Sequence, residues 1–296
     1  MGEAGRGKGP ARVEGETPGT WNPEQGCLEV ETKRVLELGS LSTVLIKLVE
    51  GEICIEGTDK VQQPELTITE RIYAGSKSEA TRFYKENGSG VNVEVDSDTL
   101  SVTEKSSSGV VSGGSGNVQI EGRSGSVVVD NSYVRGNIFN RVNGGTGGIV
   151  IINGEQTGSS QPVAGRETRV VLKVPVANKG EKSEPEYIIE VGSGNITVEN
   201  VTGEYDISLN TGNIEVTDGI FISENTGENT VKTETGDISV GFDRDQGKIK
   251  VQTIQPGLGG RVIKETIYFE GVENPNGQTA RLILTTQAGG IEVISK

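Results

Sequence analysis

The chain has no histidine, and only two cysteines, one tryptophan and one methionine among 296 residues. Without an imidazole there can be no Ser-His-Asp or Cys-His arrangement, and the commonest general base and transition-metal ligand are gone. Cys27 and Cys54 alone cannot supply a zinc site. The pair fits either a disulfide in an oxidising compartment or two separate thiols, and two cysteines do not make a disulfide framework. Cys54 shares strand parity with Glu52 and Glu56, opposite to Ile53 and Ile55, which turns it away from a core. Aromatic residues make up 4% and hydrophobic residues 32%, which suits a thin aliphatic core and argues against a thick aromatic one. Cations are outnumbered, with 28 Lys and Arg against 42 Asp and Glu, for a formal net charge of −14. That balance disfavours nucleic-acid backbones and anionic membranes as partners. No apolar run approaches a membrane span. The opening MGEAGRGKGPARVEGETPG has no apolar stretch of the secretory type, and Arg6 stands where a myristoylation signal has Ser or Thr. The expectation is a cytoplasmic protein as sequenced, or one of the cell surface if the chain is a fragment of a longer precursor.

What the chain has in quantity is glycine, 44 in all, and it is placed periodically. In Gly192–Val216, glycines stand at 194, 203 and 212, nine residues apart. Behind each comes a short alternating run: Ile196-Thr197-Val198, Tyr205 to Leu209, and Ile214-Glu215-Val216. A strand sends successive side chains to opposite faces, so each run has one apolar and one polar face. A lone strand of that length cannot bury its apolar face, whereas stacked copies can. Gly194-Asn195, Gly212-Asn213 and Gly236-Asp237 have the chemistry of corners. Related units follow Gly116, Gly125, Gly136, Gly148, Gly227, Gly236 and Gly290. The expected fold is all-β: a β-solenoid, single-stranded and β-helix-like, of short Gly-anchored strands with one short helix in the N-terminal part. A sandwich of short strands is the alternative.

Four segments are expected. Residues 1–26 read as a disordered leader, with Trp21 at its end. Residues 27–105 form a β-rich head with hairpin-connected strands at Leu28–Glu31, Val44–Leu48, Gly51–Gly57 and Glu65–Thr69. Its helix, Ser76 to Asn87, has a Ser76/Glu79 capping box, Ala80, Phe83 and Tyr84 on one face, and Asn87-Gly88 as a stop. That face covers a sheet or plugs the end of the stack. Residues 106–165 are a Ser/Gly-rich insert with repeat strands, and 166–296 the repeat region, where Asn276-Gly277 signals a hairpin.

Few positions suggest chemistry. Gly113-Gly114-Ser115-Gly116 and Gly144-Gly145-Thr146-Gly147 match the glycines of the calcium-binding nonapeptide, but Val118 and Ile149 replace its Asp, which excludes a calcium roll. Asp96-Ser97-Asp98 is explained as a turn. Asp243-Arg244-Asp245, the one compact carboxylate cluster a glycan-cleaving β-helix could use, sits in the turn sequence FDRDQGK. Asn87, Asn195 and Asn200 match a glycosylation acceptor pattern that arises by chance in so polar a chain. No catalytic, cofactor-binding or metal-binding residue is assigned, and no cofactor is expected.

The order of an acidic first strand, Gly51–Gly57, the Ser-Glu-capped helix, a hairpin, Val174-Pro175-Val176 and tandem Gly-Asn-Ile and Gly-Asp-Ile strands resembles the bacterial "putative adhesin" domain family, over residues 28–105 and 168–296. The resemblance implies a β-solenoid-like fold and no known catalytic residues. The expected function is a non-enzymatic, adhesin-like structural or interaction module. Its partner would be a protein or glycan, met by an exposed flank of Thr197, Asp206, Ser208, Glu215 and Ser239. The alternatives are a self-assembling scaffold or, further off, a polysaccharide-acting β-helix enzyme.

Ile214 is expected to point inward. Ile214→Asp should therefore abolish the cooperative fold of the repeat region, because an unpaired carboxylate would enter a thin core. Native circular dichroism and an unchanged melting temperature in that variant would contradict the inward assignment.

Overall fold

The computed structural model describes residues 13–16, 19–36, 41–96, 98–105, 165–176, 185–222, 228–243, 247–257, 262–269 and 279–295, with short strand segments between 118 and 156. These residues are mostly β with one helix, none long and apolar enough to cross a membrane. In the N-terminal part lie β1 (Val13–Glu16), β2 (Thr20–Asn22), β3 (Cys27–Val35), β4 (Thr43–Thr58), β5 (Glu65–Tyr73), α1 (Lys77–Asn87), β6 (Val91–Asp96) and β7 (Thr99–Glu104). The insert holds β8 (Val118–Gly122), β9 (Val127–Val129), β10 (Ile138–Val142), β11 (Val150–Ile152) and β12 (Glu155–Gln156). β8 pairs with β10 and β9 with β11, both in parallel, in sheets of their own. The anchoring glycines predicted there lie outside the described residues.

The remaining strands are β13 (Gly165–Pro175), β14 (Glu186–Glu199), β15 (Thr202–Thr211), β16 (Ile214–Phe221), β17 (Asn229–Thr235), β18 (Ile238–Phe242), β19 (Ile249–Pro256), β20 (Val262–Phe269), β21 (Ala280–Ala288) and β22 (Ile291–Ser295). With β1–β7 they make one 17-stranded sheet. Its pairings resolve into two sides. The first runs β6–β7–β4–β14–β15–β17–β21–β19–β20. The second runs β3–β5–β13–β4–β14–β16–β18–β22. β4 and β14 belong to both: Ser193 of β14 still pairs with β15, while Ile196 already pairs with β16. From β4 to β22 the ladders between successive passes of the chain are parallel.

This register explains the nine-residue period. Ile196 lies beside Ile214, and Glu186 beside Glu204, a shift of 18 residues, so nine residues are half a pass. Gly194 and Gly212 share one corner, whereas Gly203 lies on a short third side beside Phe221. The next passes are longer, with Ile214 beside Ile238 and Ile238 beside Ile291.

The shared corner is the tightest place in the fold. Gly194, Gly212, Gly236 and Gly289 have φ between 131° and 153°, which side chains rarely adopt. A Cβ at Gly212 would overlap the carbonyl oxygen of Gly194, one at Gly236 that of Gly212, and one at Gly289 that of Gly236. The following residue then bonds along the stack. Asn195 Oδ1 accepts from the Asn213 amide (3.1 Å), Asn213 Oδ1 from Asp237 (2.9 Å), and Asp237 Oδ1 from Gly290 (2.7 Å). A second corner stacks Gly57, Asn200 and Asp218. The last two take φ of 53° and 52°, and Asn200 Nδ2 donates to the Gly57 carbonyl (3.0 Å). Asn and Asp tolerate that region better than other side chains.

Between the sides lies one core. The first side contributes Ile189, Ile207, Val231 and Leu284, the second Ile53, Ile196, Ile214 and Ile238, all buried. Tyr187, Tyr205, Phe221, Phe242 and Phe269 form a continuous row, with ring centroids 4.9–5.5 Å apart. Each such pair contributes about 1 kcal/mol beyond area burial. Buried Asn229 accepts from the Tyr205 amide and donates to the carbonyls of Ile222 and Arg281, joining three passes.

Two expectations are corrected. Val44–Leu48 and Gly51–Gly57 are not hairpin partners: they are halves of the 16-residue β4, and Gly51 bends the strand round the corner against the Thr168 carbonyl. Residues 13–16 and 20–22, expected to be disordered, are strands on β3. Trp21 anchors this segment, opposite Leu28 and against a small core of Leu28, Val30, Ile72 and Ala80. The helix is as expected. Ser76 Oγ accepts from the Glu79 amide, the Gly88 amide donates to the Tyr84 carbonyl, and Ala80, Phe83 and Tyr84 cover β3 and β5. The Asn276-Gly277 turn lies outside the described residues.

Gly212→Ala should lower stability by about 3 kcal/mol, since it combines a disfavoured φ with a backbone overlap. Gly88→Ala, at φ 63° and ψ −160° but facing open space, should cost about 2 kcal/mol, all of it backbone strain. Equal losses in urea titrations would show that the corner is not closely packed.

Candidate interaction groove

The parallel register brings distant polar residues into line. Thr103, Lys47, Glu190, Ser208, Lys232 and Thr285 are successive ladder partners on the outer face of β7, β4, β14, β15, β17 and β21. Parallel strands lie about 4.8 Å apart, so the row spans about 24 Å. Beside it lies a groove of about 860 Å³ lined by Lys47, Glu190, Asp206, Ser208, Asn210 and Lys232, with Val49, Glu104 and Lys105 at one end. Gly192 also lines it, so close to β4 that a Cβ there would overlap the Val49 carbonyl.

The charges are arranged but solvated. Lys47 Nζ meets Glu190 Oε1 at 2.9 Å, with both side chains about half exposed, so the pair contributes at most about 1 kcal/mol. Glu104 Oε2 accepts from the Val49 amide (2.7 Å) and fixes the end of the groove. Among the described residues, no group of three or more Cys, Asp or Glu is placed to hold a metal.

Of the five residues expected to share a flank, Asp206 and Ser208 line this groove. Thr197, Glu215 and Ser239 are ladder partners on the second side, so the five occupy two faces. Lys47, Glu190 and Lys232 were not singled out from sequence. They are 143 and 42 residues apart in the chain, and only the lengths of the passes reveal that they align. Asp96 and Asp98 bound the β6–β7 turn, and the Asp98 carbonyl accepts from the Ser42 amide (2.8 Å). Asp243 follows β18, and its amide donates to the Gly219 carbonyl (3.2 Å); residues 244–246 lie outside the described residues.

The cysteines are separate thiols. Cys27 is buried and Cys54 half-buried on the outer face, and in both cases burial is the main cause that holds the thiol above its ordinary pKa. Near Cys27, Arg71 bridges Glu29 (2.9 Å) and Glu167 (3.7 Å), and the Tyr73 hydroxyl donates to Glu167 Oε2 (2.7 Å). That hydrogen bond is the main cause that pushes the Tyr73 pKa up to about 12.

No family model matches the chain, and no curated protein matches it in sequence. Two solved structures are similar over most of their length. A "putative cell adhesion protein" from Clostridium sporogenes is 11% identical with a TM-score of 0.43, over 90% of this chain and 99% of that one. A "putative adhesin" from Bacteroides fragilis is 11% identical with a TM-score of 0.15, over 89% and 97%. At these scores neither likeness carries a property to this chain.

In the unfolded chain Tyr73 ionises near its ordinary value of about 10, and in the fold only near about 12. Its contribution is whole below pH 10 and is lost as the pH rises towards 12. Tyr73→Phe should therefore lose less stability than the parent across that interval in urea midpoints. Parallel curves for the two proteins would contradict the Tyr73–Glu167 bond.

Proposed function

We propose that the chain is a β-solenoid acting as a non-enzymatic, adhesin-like interaction module, and that the groove on its first side receives the partner. The observation that carries this is the row Thr103, Lys47, Glu190, Ser208, Lys232 and Thr285, one polar side chain per strand in register. Regularly spaced donors and acceptors on a rigid sheet suit an extended polar polymer laid across the strands, a glycan or a polar segment of protein. A hydrolytic reading is weaker, because of the three groove carboxylates Glu190, Glu104 and Asp206 the first two are engaged by Lys47 and by the Val49 amide. The solenoid assignment is supported by parallel ladders between successive passes and by the stacked glycine corner.

The test is binding of the full chain to a glycan array and to surface-protein fragments. A Lys47→Glu/Lys232→Glu variant should lose at least about tenfold in affinity, a difference of about 1.4 kcal/mol, with parental circular dichroism and a melting temperature only a few degrees lower, as loss of the exposed Lys47–Glu190 pair requires. Glu215→Lys, on the other side, should bind as the parent does. Equal binding by all three proteins would remove the groove from the function.

A further inference from the structure

The first side ends in β20, whose ladder partner among the described residues is β19 alone. Its sequence, VIKETIYF, is rich in β-formers and free of proline and glycine. Val262, Ile263 and Tyr268 are 64%, 39% and 67% exposed. An outer strand of this length and composition is a template for another strand. Two of the other outer strands are guarded. β6, at the far end of the same side, carries Asn92, Glu94 and Asp96 on its exposed face. β22, which ends the second side, has its Ile291 amide bonded to Gln255 Oε1 (3.1 Å).

We propose that β20 pairs antiparallel with β20 of a second copy, about a two-fold axis normal to the sheet. Such an axis preserves the faces of the sheet, so it must pass beside one residue that meets its own copy. Two registers overlap the strand most fully. One spans Val262–Tyr268 and sets Glu265 against Glu265, a destabilising like-charge contact. The other spans Ile263–Phe269 and sets Thr266 against Thr266, a favourable cross-strand pair. It also joins Ile263 to Phe269, Lys264 to Tyr268 and Glu265 to Ile267, with no like charges opposed. Lys264 then meets a ring that already takes Lys250 at 5.9 Å. Phe269 packs on Phe242 at 5.0 Å, so the end of each copy's aromatic row is set against Ile263 of the other, and the two Phe269 rings lie about 20 Å apart along the strand. The formal charge of −14 on each copy opposes association, and salt should therefore strengthen the dimer.

The test is light scattering after size exclusion of the full chain, over about a hundredfold range of concentration and at low and high salt. The expected mass rises from one copy to two and stops, more readily in salt. Ile263→Asp should remain a single copy with parental circular dichroism. In a Cys54→Ser background, Thr266→Cys should give a covalent dimer on oxidation and Glu265→Cys should not. One-copy mass throughout, growth beyond two copies, a dimer indifferent to Ile263→Asp, or cross-linking at Glu265→Cys in place of Thr266→Cys would each overturn the proposal.

Discussion

The structure depends on how closely the backbone of one pass approaches the next at a single corner. Gly194, Gly212, Gly236 and Gly289 each place their α-carbon where a side chain would strike the carbonyl of the glycine before it. The same corner is tied by backbone bonds, from the Gly212 amide to the Thr235 carbonyl and from the Gly236 amide to the Ala288 carbonyl, both 2.8 Å. With position and orientation fixed there, every residue on the two sides has its facing decided. Ile196, Ile214 and Ile238 fall inward in one file, while Thr197, Glu215 and Ser239 fall outward in another.

A thin core follows from a thin cross-section. Each pass buries only a few aliphatic side chains, so the aromatic row and the Asn229 bonds tie neighbouring passes where bulk cannot. The low aromatic content is thus concentrated: five of the eleven Phe and Tyr residues stand in that one row. Functionally, the parallel register turns sequence positions far apart into a straight polar file. Pass length can vary through insertions between strands without disturbing it, as the hairpin of β19 and β20 between β18 and β21 illustrates.

Much of this was legible in the sequence where the signal is local. The Gly-Asn and Gly-Asp pairs marked the corner, strand alternation marked Ile214 as inward, and Ser76 with Glu79 marked the helix start. What escaped was long-range. β4 shares the stack with β14 across 143 residues, and nothing near Gly51 distinguishes a bend from a hairpin turn. Asp206 and Glu215 look equivalent as exposed acids, yet the Gly212 corner between them sends one to each side. Lys47 and Lys232 are isolated cations in the sequence, and only the lengths of the passes bring them to one groove.

Amide hydrogen exchange in Asn213→Ala tests the stacked register most directly. Asn213 Oδ1 accepts from the amide of Asp237, 24 residues further along the chain. Removing that acceptor should speed exchange at Asp237 while the Ile238 amide, bonded to the Gly290 carbonyl at 3.0 Å, stays protected. Unchanged exchange at Asp237, with effects confined to residues next to 213 in sequence, would contradict the stacking of the two corners.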